Sequence, residues 1–183
     1  MKKLTEQVLS LERPSAVMTV ALPAAGKTTL ANALLRELAV AAPDVPACIV
    51  CSDDIRNEIA FETGSRPYDR SMNAVVFETA QNRTRAILEV GGIAIIDATH
   101  LNRFRPETVE RYRGFGAEAV AALVLDVTLE QAKQQNEARF LTGVGYVDPA
   151  DMDRMEAYRQ AHPLTAESPG EFDVVFQYNP YGA

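Results

Sequence analysis

The sequence predicts an α/β protein: a parallel β-sheet with helices covering both faces. Two observations carry this reading. Residues 16–22, 47–51, 93–96 and 119–127 are nearly continuous apolar runs without polar alternation, the pattern of strands buried on both sides. Helical stretches stand between them, the arrangement that joins parallel strands.

The elements follow in order. Residues 16–22 read as a first strand, and 27–41 as a helix with Leu30, Leu34, Leu35 and Leu38 on one face. Pro43 and Pro46 bracket a turn before the strand at 47–51. Ser52, Asp53 and Asp54 offer N-cap oxygens to a helix running through Ile59. Residues 63–67 read as a loop, and 72–90 as a long helix stopped by Gly91 and Gly92. The strand at 93–96 ends on Asp97, and a helix is expected at 106–115. After the strand at 119–127, Thr128 and Gln131 suit a capping box for a helix reaching Phe140. A Gly-rich segment at 142–145, a helix at 149–161 and a last strand at 172–177 complete the reading.

The 183 residues, 47% hydrophobic and 23% charged, suit one domain at about 150 residues per domain. Two cysteines exclude a disulfide framework. No apolar run approaches the ~18 residues of a membrane span, and the start lacks a signal-peptide core, so a soluble cytoplasmic protein is expected. The net charge of −7 lies in residues 114–183, while 56–113 carry nine arginines against eight acids. An acidic chain has no general pull on nucleic acid, but clustered guanidinium groups can make a local phosphate site. If nucleic acid binds there, Arg83, Arg85, Arg103 and Arg105 are the residues whose loss should reduce the salt slope of binding.

The strand ends carry the chemistry. Ala21-Leu-Pro-Ala-Ala-Gly-Lys-Thr-Thr29 has P-loop spacing, with Ala21 at the first glycine position. Backbone N–H groups around Ala24, Ala25, Gly26, Lys27, Thr28 and Thr29 would cradle phosphates, Lys27 would reach the β- and γ-phosphates, and Thr28 would serve magnesium. The second strand delivers Asp53, a carboxylate able to take a proton from an attacking hydroxyl, with Arg56 behind it to hold an anionic acceptor. Asp97 ends the most apolar strand, the place of an acid that holds magnesium or its water. Arg139, before the Gly-rich segment, could swing over the phosphates. Cys48 and Cys51 read as core strand cysteines, since with only two histidines in the chain a C-x-x-C alone is no zinc site, and His162, before Pro163 in a polar stretch, reads as a surface residue.

Leu22-Pro-Ala-Ala-Gly-Lys-Thr-Thr29, Cys51-Ser-Asp-Asp-Ile-Arg56, Ile95-Ile-Asp-Ala-Thr-His-Leu-Asn102 and Asn136-Glu-Ala-Arg139 resemble the kinase domain of bacteriophage-type polynucleotide kinases, within a wider group of small P-loop ATP-binding kinases. The resemblance implies a five-stranded, adenylate-kinase-like P-loop fold in three layers. It implies a single kinase domain over 1–183, with a lid-like segment at about 140–150. By the same resemblance, Lys27 and Thr28 are the phosphate and metal contacts and Asp53 is the general base for a 5′-hydroxyl. Arg56 holds acceptor phosphate, Asp97 is the essential strand-end acid, and Arg139 is the lid arginine on the donor phosphates. The implied cofactors are ATP and magnesium.

The sequence departs from that family at Ala21 and Ala24 (usually glycine), Gln135 (usually arginine) and His100 (usually asparagine). An alanine in place of glycine is expected to distort the loop where positive φ is needed. Three functions stay open: transfer to a nucleic-acid 5′ end, transfer to a small hydroxylated metabolite, or a nucleotide-binding module without turnover. The oligomeric state is likewise open.

Overall fold

The computed structural model describes residues 1–65, 70–141 and 145–181, the side chain of Arg70 excepted. Five strands form one parallel sheet in the order β2-β3-β1-β4-β5, where β1 is Ser15–Val20, β2 Ala47–Cys51, β3 Ile93–Asp97, β4 Ala119–Leu125 and β5 Val174–Tyr178. β1 lies at the centre, with Val17 opposite Ile95 on one side and Ala121 on the other. Every residue of β1 and β3 is buried, as the unalternating apolar runs require.

The helices are α1 (Lys2–Leu9), α2 (Lys27–Ala41), α3 (Ser52–Thr63), α4 (Asn73–Glu89), α5 (Arg105–Gly114), α6 (Leu129–Leu141) and α7 (Pro149–Ala161). Right-handed crossovers put α2 on one face, because β1 leads back to β2; α4 and α5 go to the other, because β2 to β3 and β3 to β4 run forward. The result is the three-layer P-loop fold with a five-stranded parallel sheet that the sequence predicts. α1 was absent from the sequence reading. It buries Leu4 and Val8 and packs on α2.

Local chemistry explains most boundaries. The Thr128–Gln131 capping box forms, the Gln131 N–H donating to Thr128 Oγ1 at 3.2 Å and the Thr128 N–H to Gln131 Oε1 at 3.0 Å. α4 ends where the Gly92 N–H donates back to the Ile87 carbonyl at 3.0 Å. A Cβ on Gly92 would stand 2.6 Å from the Pro46 carbonyl oxygen, so only glycine fits there. One expectation is corrected: Ser52, Asp53 and Asp54 do not cap α3. The N-cap is Cys51, and the two aspartates sit inside the first turn, where their charge faces the positive end of the helix dipole. The strand then hands directly into the helix, which turns Asp53 towards the sheet edge.

Candidate active site

All five strands point their carboxyl ends to one edge, and register sets what meets there. Cys51 pairs with Asp97 across β2 and β3, so α3 begins beside the acid that closes β3. β1, next to β3, runs into residues 21–26 and then α2. Such an edge is where open α/β sheets bind ligands.

The loop after β1 takes its shape from two positive-φ residues, Ala24 at 61° and Gly26 at 89°. Ala21 shows no such angle; it is fully buried, and its N–H donates to the Thr99 carbonyl at 3.3 Å. The two alanine departures therefore differ. Ala21 needs no glycine, while Ala24 holds a left-handed conformation that an L side chain disfavours.

Two side chains that the sequence reading did not single out for this staple the base of the loop. Thr19, fully buried in β1, donates from Oγ1 to the Ala98 carbonyl at 2.8 Å and accepts the Ala98 N–H at 3.2 Å. His100, at φ 51°, has Nδ1 2.8 Å from the Thr19 carbonyl. A carbonyl only accepts, so Nδ1 carries the proton. Burial, followed by the nearby charges of Lys27 and Arg105, pushes the imidazole down to about 4 and keeps it neutral near pH 7. The signal in the sequence was a threonine inside an apolar strand.

The cleft, about 210 Å³, is lined by Ala24, Gly26, Lys27 and Thr28 on one wall, Ser52 and Asp53 on another, and Asp97 with Thr99 at the base. Thr28 Oγ1 donates to Asp97 Oδ2 at 2.6 Å. Lys27 Nζ donates to the Leu22 carbonyl at 2.8 Å. Burial draws Lys27 down to about 8; Asp97 and Asp53 raise it and Arg139 lowers it. The fourth side comes from α6 and beyond: Arg139, Gly145, Tyr146 and Val147, with Met155 of α7. Buried Asn136 holds this side in place. Its Nδ2 donates to the Val147 carbonyl at 2.7 Å, and its Oδ1 accepts the Val147 N–H at 3.0 Å. Part of the lid-like segment expected at about 140–150, residues 142–144, lies outside the described residues.

A strand–loop–helix edge, a strand-end aspartate bonded to the loop threonine and a further carboxylate, Asp53, thus meet at one cleft. A family model described as an AAA domain matches residues 17–162. The chain belongs to that family. The search of curated proteins finds no matching relative. Among solved structures, a chain of the Pnkp1/Rnl/Hen1 RNA repair complex superposes with a TM-score of 0.66 at 16% identity, over 83% of this chain and 46% of that one. This chain thus spans under half the length of that relative. The APS kinase CysC of Mycobacterium tuberculosis, solved with AMPPNP and APS, gives 0.59 at 11% identity over 94% and 92%. A gluconokinase from Sinorhizobium meliloti gives 0.52 at 13% over 93% and 85%. At these identities the likeness establishes a P-loop kinase fold.

Within this AAA domain, the sequence-predicted residues Ala24, Gly26, Lys27, Thr28, Asp53, Asp97 and Arg139 meet in one cleft. Ala25, Thr29 and Arg56 do not line it. Arg56, one turn beyond Asp53, donates from Nη1 to Asn73 Oδ1 at 2.8 Å and ties α3 to α4. Among the described residues, the arginines of the block contact other groups of this chain, several of them at exposed positions. Arg83 pairs with Glu58, Arg111 with Glu107, and Arg113 with Glu110 and Asp173. Arg85 lies over the Phe115 ring, and Arg103, exposed, over Phe104. Arg105, which reads in the sequence as a solvated arginine and would contact nucleic acid only if that binds there, is instead 3% exposed and ion-paired to Glu171. Cys48 is half-buried and Cys51 buried; burial pushes the Cys51 thiol up to about 12, which suits structural cysteines. No helix among the described residues is long and apolar enough to cross a membrane.

Proposed function

We propose that this AAA domain is a cytoplasmic, ATP-dependent phosphotransferase that moves the γ-phosphoryl group of ATP to the 5′-hydroxyl of a polynucleotide end. The observation that carries the reading is the placement of Asp53. It is exposed at the mouth of the cleft, and it faces the wall that holds Lys27 and the Thr28–Asp97 pair.

Loop amides between Ala24 and Thr28 would bind the donor phosphates, helped by the N-terminus of α2. Lys27 would neutralise the β- and γ-oxygens, and Arg139, approaching from α6, the charge that spreads over the transferring group. Asp53 would accept the hydroxyl proton as the acceptor oxygen attacks phosphorus in line and the bond to the leaving ADP oxygen breaks.

Among the described residues no cluster of three ligand side chains could hold a metal by itself. The Thr28 hydroxyl and the Asp97 carboxylate, 2.6 Å apart, do fit magnesium, which binds through one or two protein oxygens plus substrate phosphates. When bound, magnesium supplies charge neutralisation of the donor phosphates. Arg56, set behind Asp53, would hold an acceptor phosphate after release from Asn73.

The likeness to a chain of the Pnkp1/Rnl/Hen1 RNA repair complex supports the polynucleotide acceptor. A small hydroxylated metabolite is the second reading, favoured by the net charge of −7 and by the likeness to gluconokinase and APS kinase. A domain that binds nucleotide without transferring phosphate is the third. The experiment is transfer from γ-labelled ATP, with magnesium, to 5′-hydroxyl DNA and RNA oligonucleotides, with a panel of sugars and nucleosides alongside. Label on an oligonucleotide end is the expected result. Label on a metabolite alone establishes the second reading. ATP binding without transfer to any acceptor establishes the third.

A further inference from the structure

The run Asn136-Glu-Ala-Arg139 holds one residue whose chemistry the cleft does not use directly. Arg139 lines the cleft; Asn136 does not. Asn136 is 1% exposed, and one turn back on the same inner face of α6 stands fully buried Ala132. An apolar side chain would suit that position better. An asparagine there gives up its water, and it is a poor helix former in the middle of α6.

Two hydrogen bonds offset that cost, and both go to one residue. The Val147 N–H donates to Asn136 Oδ1 at 3.0 Å, and the Val147 carbonyl accepts from Nδ2 at 2.7 Å. The side-chain amide pairs with the main chain of Val147 much as a neighbouring strand would, across 11 positions of sequence. Other contacts already join α6 to α7: Lys133 pairs with Asp153, and Met152 is fully buried. What the Asn136 bonds fix is the segment before α7. Gly145, Tyr146 and Val147 of that segment all line the cleft.

Tyr146 has a second support. Its ring meets that of Phe140 edge to face, with centroids 5.1 Å apart and planes at 61°. Phe140 is 65% exposed and Tyr146 47%, so the pair stands at the rim of the cleft rather than in the core. A half-exposed aromatic ring is thus held in place by its main chain on one side and by a ring on the other.

Its surroundings favour the donor. Tyr146 shares the fourth side of the cleft with Arg139, whose charge reaches Lys27 of the phosphate loop. Tyr146, Val147 and Met155 give this side apolar surface, while Ser52 and Asp53 make the opposite wall polar. A nucleotide with its phosphates on the loop still has a flat, weakly polar portion to bury, and an aromatic ring offers contact area for it.

We propose, on the ATP-dependent reading above, that Tyr146 is a further contact of the donor nucleotide and that Asn136 is the positioning residue that holds it there.

The test is binding of AMPPNP with magnesium to the full chain, without any acceptor, measured by calorimetry and by fluorescence. The chain has no tryptophan, so Tyr146→Trp places a single one at the site. Its emission is expected to change saturably with AMPPNP. Tyr146→Leu should weaken binding about 3- to 10-fold, the size of one aromatic contact. Asn136→Leu removes both bonds at similar size and should weaken binding by a similar factor. The double variant should bind within about twofold of Asn136→Leu, because the two residues act on one contact. Asn136→Leu can also repack α6, so Tyr146→Leu, at a half-exposed position, decides the contact alone. AMPPNP bound equally well by Tyr146→Leu, or bound without a change in the tryptophan emission, overturns the proposal and leaves the ATP-dependent reading standing. Losses that multiply in the double variant overturn the role of Asn136. A parent chain that does not bind AMPPNP overturns the reading and the proposal together.

Discussion

The wall of the cleft that carries the phosphate loop and the wall that carries Asp53 are held in different ways. On the first, Thr19, Ala21, Ala24 and Asp97 are all buried, and hydrogen bonds cross from β1 to the residues after β3 at three points. On the second, Asp53 and Asp54 are exposed, and among the described residues Arg56 donates one hydrogen bond, to Asn73. Phe61 of α3 and Phe77 of α4, the two helices that Arg56 and Asn73 join, stand 91% and 51% exposed. The first wall shapes a site from main chain, which one class of anion would fit. The second presents side chains to solvent, where substitution can change the acceptor without disturbing the sheet.

The largest expected effect that breaks this comparison is on the buried wall. Asp97→Asn keeps the bond to Thr28 but removes the charge, and should lower kcat by roughly 10²-fold or more with the fold intact. Steady-state kinetics alongside circular dichroism checks this. Next comes the exposed wall. Asn73→Ala frees Arg56 and should change KM for the acceptor about 3- to 10-fold, with KM for ATP unmoved. Equal changes in both constants would mean that the walls are not independent.

The pH dependence separates them further. Lys27 is drawn down to about 8, so its charge is present below that pH and lost above it. kcat/KM for ATP should fall as pH rises through about 8, since that ratio reports the free enzyme. A profile flat to pH 9 would contradict this. The smallest effect is at Ala24. Ala24→Gly relieves a left-handed alanine, offset by greater unfolded-chain entropy. A net gain of under about 1 kcal/mol is expected, measured as a rise in Tm of about 1–3 °C.

The legibility of the sequence follows the same division. The bounds of α2, β2 and α7 emerge as read, because strand runs, caps and prolines act locally. The loop residues of the buried wall and Asp97 were legible because a phosphate-loop motif has fixed residue types at fixed spacing. Residues whose role depends on what folding brings near them were not. Arg105 reads as one more surface arginine until Glu171, 66 positions away, closes on it. Asn136 gains its role from Val147, and Thr19 from Ala98, 79 positions on. The helix at α1 was missed because an isolated short amphipathic segment is set by its packing on α2. Ala24, expected from the sequence to distort the loop or weaken nucleotide binding, holds φ 61°, a left-handed angle that an L side chain disfavours.

The most direct test of the central claim, that Asp53 is the base facing a preformed phosphate loop, is Asp53→Asn measured for ATP affinity and for phosphoryl transfer to the best acceptor. The account predicts ATP binding within about threefold of the parent and transfer lowered by about 10²- to 10⁴-fold, the range of general base catalysis. Transfer at the parent rate, or loss of ATP binding in step with activity, would contradict it.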